Sequence, residues 1–424
     1  MIINYKKLIK INYKNLGFKN KMASLFAQQL YLTAFQKRRE QLERLFPHRS
    51  ENHSIIPPSI YGVVIDSKQK RDLLSKSYLS VILAKKLVGN IRYPRRHAQM
   101  ILSQQHLFQN VKCVATLAGH SNLVNSVAFH PTAPLLATGS EDDTAKLWRF
   151  SPDGSAATCV ATLKGHSSNV CSVAFHPTAP LLATGSWEAA KLWRFSPDCM
   201  KATCVATLVG HCYNVMSVAF HPTAPLLATG SADKTAKLWQ LSPDYKTATC
   251  VATLEGHRSM VYSVAFHLTA SLLATASSDN TAMLWRFSPD GSAATCVATL
   301  AGHSSMVYSV AFHPTAPLLV TGSYDKTAKL WRFSPDGSAA TCVATLAGHN
   351  RIVRSVAFHP TAPLLATGSD DNTAMLWRFS PDGSAATCVA TLAGHSNTVL
   401  SVAFHPTAPL LATGSGDNTA KLWQ

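Results

Sequence analysis

Residues Cys113 to Trp148 read CVATLAGHSNLVNSVAFHPTAPLLATGSEDDTAKLW, and close copies of this stretch follow one another to Gln424. The Gly-His pair at Gly119-His120 returns at Gly165-His166, Gly210-His211, Gly256-His257, Gly302-His303, Gly348-His349 and Gly394-His395. Successive pairs are 46, 45, 46, 46, 46 and 46 residues apart. A fixed spacing in this range marks a chain built by stacking one supersecondary unit.

Within one unit the apolar runs are short, and turn residues bound each of them. Cys113 to Leu117 leads to Ala118-Gly119-His120, and Val124 to Phe129 ends at His130-Pro131-Thr132-Ala133-Pro134. Leu135 to Ser140 ends at Glu141-Asp142-Asp143, and Ala145 to Phe150 ends at Ser151-Pro152-Asp153-Gly154. This pattern predicts four strands of about five or six residues with Gly, Pro and Asp turns between them. Apolar residues fill both alternating sets of positions, so the sheet they form is expected to be covered on both faces. Four-stranded sheets stacked radially meet that requirement.

Gly-His, a strand, and then Leu-Ala-Thr-Gly-Ser-x-Asp-x-Thr-Ala-Lys-Leu-Trp resemble the WD40 repeat, in seven copies across residues 111–424. The resemblance implies an all-β, seven-bladed β-propeller. One feature departs from the family pattern: Arg or Gln follows the Trp, as in Trp148-Arg149 and Trp239-Gln240, where the family has Asp. The ends of the repeat region predict how the ring closes. The strand 113–117 has no unit before it, and residues 420–424 form the third strand of the last unit. The first strand is therefore expected to complete the last blade, leaving no open edge between first and last blades.

Each unit sets His, Thr or Ser, Asp and Trp at fixed offsets: His120, Thr138 or Ser140, Asp142 and Trp148 in the first. His211, Asp233 and Trp239, and His303, Asp325 and Trp331, are two further sets. A Ser-His-Asp catalytic reading meets the objection that a catalytic site does not occur seven times in equivalent places. The resemblance implies a structural hydrogen-bond network instead, and no enzymatic activity. A second His, as in Phe129-His130-Pro131, is read as a turn residue. Neither His has a Cys or carboxylate at ligand spacing, so no metal or other cofactor is expected. The second unit breaks the pattern at Trp187-Glu188-Ala189, one residue short, with the Asp and Thr replaced. Its network is expected to be the weakest.

The copies differ in two places, just after Gly-His and around the turn Asp. In a propeller both reach the top face around the channel mouth, which this family uses to bind partners. Trp187, Tyr213, Met260, Tyr262, Met306, Tyr308, Tyr324, Arg351 and Arg354 occupy these positions. Such residue types are enriched at binding hot spots. Their grouping on blades four to six reads either as a partner-binding patch or as drift among duplicated copies. The expected function is a protein-protein interaction scaffold or adaptor, working as a monomeric propeller.

Residues 1–110 differ in character. They hold 20 Lys and Arg against 5 Asp and Glu, a net of +15, whereas 111–424 holds 19 against 17, a net of +2, out of +17 for the chain. The basic extension is expected to be partly helical or disordered, with candidate helices 23–46 and 66–88 and basic clusters at Gln36 to Arg39 and Arg92 to Arg96. It supplies the alternative function, a nucleic-acid- or chromatin-associated factor. No apolar run approaches the roughly 18 residues of a membrane span, and no secretory leader is evident. Seven of the 10 cysteines occupy one repeated site, Cys113 to Cys388. They are expected to be buried free thiols of an intracellular protein, cytoplasmic or nuclear.

Overall fold

The computed structural model describes residues 111–424 except 188, 197 and 381. The expected helices 23–46 and 66–88 and both basic clusters lie outside the described residues. The described residues form 28 strands in seven antiparallel sheets of four. The first strand, β1 (Cys113–Ala118), stands apart from those that follow it. Blade one consists of β2 (Val124–Phe129), β3 (Leu135–Ser140), β4 (Ala145–Phe150) and β5 (Ala157–Leu163), in that spatial order from inside to outside. Five more blades repeat it.

Blade seven takes three strands from the end of the repeats and one from the start. Its order is β1, β28 (Thr419–Trp423), β27 (Leu411–Ser415) and β26 (Val399–Phe404). Leu117 stands opposite Ala420 and Thr116 opposite Lys421. Beyond the strand, Lys112 and Gln424 exchange two backbone hydrogen bonds of 2.9 and 3.0 Å.

Burial follows position within the blade. All six residues of β3 are buried, because it has strands on both sides and sheets on both faces. The outer strand β5 exposes Thr158, Cys159 and Thr162. This overturns the expectation of buried thiols: Cys113, Cys159, Cys204, Cys250, Cys296, Cys342 and Cys388 are all exposed free thiols. Their strand has no further strand outside it, so much of its run, the cysteine included, meets water. Val160 is an extra residue in this strand, since Leu147 pairs with Ala161 but Trp148 with Cys159. Such a bulge twists the exposed edge and discourages pairing with another chain.

The core lies between blades. One cluster joins Leu135, Leu147 and Leu163 of blade one to Val170, Val173, Leu182 and Trp193 of blade two. The closing cluster joins Leu117, Leu410 and Leu422 to Val124, Val127, Leu136 and Trp148. Blades approach so closely that a Cβ on Gly139 would stand 2.8 and 2.9 Å from the side chains of Val170 and Val173.

The inner strand of each blade borders the channel and lacks a partner on that side, which would strand buried N–H groups. A serine from the neighbouring blade supplies the acceptor. Val173 donates its N–H to Ser126 Oγ, Val218 to Ser172 Oγ, Val264 to Ser217 Oγ and Val310 to Ser263 Oγ. Val356 donates to Ser309 Oγ, Val402 to Ser355 Oγ, and Val127 to Ser401 Oγ, which completes the circle.

The second histidine does more than shape a turn. His130 Nδ1 accepts the N–H groups of Thr132 and Ala133 at 3.1 and 2.9 Å. Its ring also meets Phe175 and Phe195 of the next blade edge-on, at 4.9 and 6.0 Å between centroids. His405 closes this aromatic circle on Phe129 and Phe150. The arginine that stands where the family has Asp is also an inter-blade contact. Arg149 donates to the Asp198 carbonyl, Arg194 to that of Asp244 and Arg332 to that of Asp382, each in the adjoining blade.

Candidate binding face at the channel mouth

At one end of every described blade the two variable segments meet. The residue after Ser140, Glu141, donates its N–H to the Leu123 carbonyl, and Tyr324 and Asp370 donate likewise to Met306 and Ile352. A second feature fixes what projects there. In blade one Val124 pairs with Ser140 but Ser126 with Gly139, leaving Asn125 as a bulge residue. The same shift recurs at Cys171, Met216, Tyr262, Tyr308, Arg354 and Leu400. A bulge residue is released from the ladder and can be re-aimed, which explains why this position differs in every blade except four and five while the serine beside it does not change.

The network beneath this face has a definite proton order. Asp142 accepts from His120 Nδ1 at 2.7 Å, from the Ser121 N–H, and from both the N–H and hydroxyl of Thr144. Trp148 Nε1 donates to Thr138 Oγ1, leaving the Thr138 hydroxyl proton for His120 Nε2 at 2.7 Å. His120 therefore carries its proton on Nδ1. Burial holds its imidazole below the ordinary value, although Asp142 pulls the other way. Burial alone would raise the Asp233 carboxyl, but hydrogen bonds from Thr235 and His211 outweigh it and bring it down to about 2. His211–Thr229–Trp239 and His303–Thr321–Trp331 repeat the geometry, with Asp233 and Asp325 on the outer side. Thr138, rather than Ser140, is the bridging hydroxyl; Ser140 Oγ ties the turn to the Asn122 carbonyl. Both histidine nitrogens and the fully buried threonine are thus occupied by one another. Each such bond adds about 0.5–1.5 kcal/mol net, and leaving one partner buried alone costs more.

In blade two the bridging threonine is joined as in the others. His166 Nε2 and Trp193 Nε1 both reach Thr184 Oγ1, at 2.6 and 2.8 Å. Ala189 stands where the other blades have the threonine that binds the turn carboxylate. Amide protons of residues 186–190 are expected to exchange faster than those of 231–236 in blade three, measured by hydrogen-deuterium exchange. Equal protection would contradict a weakened turn.

The predicted partner-binding residues separate into two groups. Tyr262, Tyr308 and Arg354 are half-buried and hold one another. The two tyrosine rings lie 4.6 Å apart, Arg354 Cζ sits 4.5 Å over the Tyr308 ring, and Arg354 forms two bonds of 2.7 and 2.8 Å to Asp370. Burial works against the Arg354 charge, but Asp370 more than offsets it and holds the guanidinium above its ordinary value. Trp187, Tyr213, Met260, Met306 and Tyr324 are open to solvent, with Tyr213 the most exposed at 67% and Trp187 at 48%. Arg351 is exposed as well. The open apolar groups thus form an arc over blades two to five, where the grouping by residue type pointed to blades four to six. Side-chain exposure, which depends on the bulge, was not visible in the sequence.

Between blades six and seven lies a polar cleft of about 440 Å³, lined by Asn350, Arg351, Asp370, Asp371, Asn372, Asn397 and Thr398. Among the described residues no group of three His, Cys, Asp or Glu could hold a metal ion. No helix among them is long and apolar enough to cross a membrane.

The family model described as "WD domain, G-beta repeat" matches residues 111–149, 157–194, 202–240, 248–286, 294–332, 340–378 and 386–424. Human WD repeat-containing protein 37 is 48% identical over 40 residues, 9% of this chain and 8% of that protein. The Drosophila melanogaster WD repeat-containing protein 26 homolog is 48% identical over 46 residues, 11% of this chain and 7% of that protein. Coatomer subunit alpha of Saccharomyces cerevisiae is 54% identical over 35 residues, covering 8% and 3%. The chain therefore aligns with less than a tenth of each of these relatives, about the length of one repeat. With seven matched repeats, seven four-stranded sheets and a closed ring, the chain belongs to the WD40-repeat family.

Proposed function

We propose that this protein is a non-enzymatic interaction scaffold that docks a peptide or domain of a protein partner on the top face of a monomeric propeller. The observation that carries this reading is the placement of exposed apolar groups. Five of the nine large hydrophobic side chains exposed among the described residues, Trp187, Tyr213, Met260, Met306 and Tyr324, lie in the variable segments of that face. Exposed aromatic and Met side chains gathered at one rim are the usual anchors of a protein interface. Further support comes from the His, Thr and Asp side chains beneath, which are committed to one another rather than to a substrate. The yeast relative is, by its name, one subunit of a larger assembly.

Affinity purification with the full chain, compared with a Trp187→Ser, Tyr213→Ser, Tyr324→Ser variant, tests this. Partner recovery is expected to fall at least about tenfold, since anchors of this kind typically carry 2 kcal/mol or more. Unchanged recovery would remove the top face as the docking site. The charge of +15 on residues 1–110 favours a second reading, nucleic-acid or chromatin association through that segment. Steep salt dependence of DNA or RNA binding, lost on deleting 1–110, would support it.

A further inference from the structure

We infer that blades three to six of the top face recognise an acidic peptide that carries aromatic or aliphatic anchors. The inference rests on the top-face reading above and specifies the chemistry of its partner.

The top face has two unlike halves. On blade three, exposed Tyr213 is accompanied by exposed Lys234; on blade four, exposed Met260 by exposed Arg258. On blade five, exposed Met306 and Tyr324 are accompanied by exposed Lys326. Blade six adds the exposed Arg351, while Arg354 is neutralised by Asp370. Each of three consecutive blades thus offers an apolar side chain and a cation together. The corresponding segments of blade seven, Ser396 to Thr398 and Gly416 to Asn418, hold neither a cation nor a large apolar group apart from the buried network. Those of blade one hold Glu141 and Asp143 and no cation.

Carboxylates are present under the basic half, but they are not available to a partner. Asp233, Asp279, Asp325 and Asp371 have side chains no more than 10% exposed, and each accepts a histidine N–H. The exposed acid on this side, Glu255, follows the outer strand Ala248–Leu254 rather than the inner rim. The charge that a partner meets at the mouth of blades three to six is therefore positive and punctuated by apolar side chains. A peptide with a few carboxylates between apolar residues satisfies both features, because charge complementarity selects and steers the partner while buried anchors hold it. A nucleic acid fits less well. It carries a charge on every nucleotide, which the apolar side chains set between the cations do not match, and the two tyrosines that could offer a stacking platform already pack against each other at a tilt of 34°.

The test is selection of a random twelve-residue display library on the full chain. The selected peptides are then measured by fluorescence anisotropy against Arg258→Glu with Lys326→Glu, against Tyr213→Ser with Tyr324→Ser, and against Asp143→Asn. Unchanged melting of the variants establishes that these substitutions leave the fold intact. The expected pool is rich in Asp or Glu interleaved with Trp, Phe or Leu. Both double variants should weaken binding at least about tenfold, Asp143→Asn should leave it unchanged, and added salt should weaken it. A neutral or basic pool that is still lost in the Tyr213, Tyr324 variant overturns the acidic chemistry and leaves top-face docking standing. A pool indifferent to every top-face variant, or no enrichment at all, overturns both. Tighter binding of a twelve-nucleotide oligouridylate, lost on the same charge reversals, overturns the peptide in favour of nucleic acid.

Discussion

A chain lacking residues 1–118 is expected to lose the single cooperative unfolding transition, whereas one lacking only 1–110 should keep it. The first deletion removes β1, the outer strand of blade seven, and with it five paired positions against β28. It also takes away Leu117, buried to 2%, from the cluster that joins blades seven and one. Two edges then open at once, one on β28 and one between the blades. A milder version isolates the packing contribution. Leu117→Ala is expected to cost about 2–5 kcal/mol, the range for emptying a leucine site in a core. That is a large part of the 5–15 kcal/mol typical of a whole domain. Cys113→Ser, at the exposed end of the same strand, should stay within about 0.5 kcal/mol. Guanidinium unfolding followed by tryptophan fluorescence distinguishes the three, and equal stability of the Leu117→Ala and Cys113→Ser variants would mean that β1 does not hold the ring.

Acid is expected to destabilise the propeller well above the range in which carboxylates titrate. The second histidine of each blade must be neutral at Nδ1, because that nitrogen accepts two backbone N–H groups, as His313 does from Thr315 and Ala316. Burial brings His313 and His359 down to about 4, against 6.5 for an unconstrained imidazole. A folded-state value below the unfolded one means that unfolding takes up protons at intermediate pH. The stability these groups provide is complete above about pH 6.5 and is lost as pH falls toward 4. Near pH 5 these two alone give a slope of roughly 2 kcal/mol per pH unit once the partial exposure of their rings is allowed for. The network histidines, also held below their ordinary value by burial, act in the same direction. Denaturation midpoints measured from pH 8 to 4.5 should be flat above 7 and fall steeply below 6.5. Asn can supply an oxygen to the same turn amides without titrating, so His313→Asn with His359→Asn should flatten the slope by up to about two protons. An unchanged slope would place the proton uptake elsewhere.

The fold was legible because the repeat imposes it seven times over: strand lengths, turn chemistry and the unmatched strand at 113–117 all point to one closed ring. The inter-blade contacts were less legible, since a sequence pattern carries strand periodicity but not what lies across a sheet-to-sheet gap. Ser126 and its counterparts were unchanged in every copy, a signal that could have marked them as part of the frame. The exposed cysteines were misplaced because CVATL reads as a buried run until the outer strand is recognised as the rim of the blade. At the top face, residue types were visible but their accessibility was not. The bulge turns Tyr262, Tyr308 and Arg354 toward one another, and leaves Tyr213, Met260 and Tyr324 for solvent.

The serine belt gives the ring a direction: each blade receives a bond from one neighbour and provides one to the other. In symmetry terms it is a head-to-tail cyclic oligomer whose subunits share one chain, closing where a seventh rotation returns to the start. Because the interfaces are nearly identical, a blade that has formed early meets several faces that accept it, of which only one belongs to its correct neighbour. Repetition that makes the final ring uniform also leaves the order of blades less specified by their interfaces alone, and misassembly is the characteristic failure of repeat proteins. The departures from the repeat, from the shortened turn of blade two to the tyrosines of blades four and five, are then more than surface variation. They are among the few marks by which the chain can tell one blade from another.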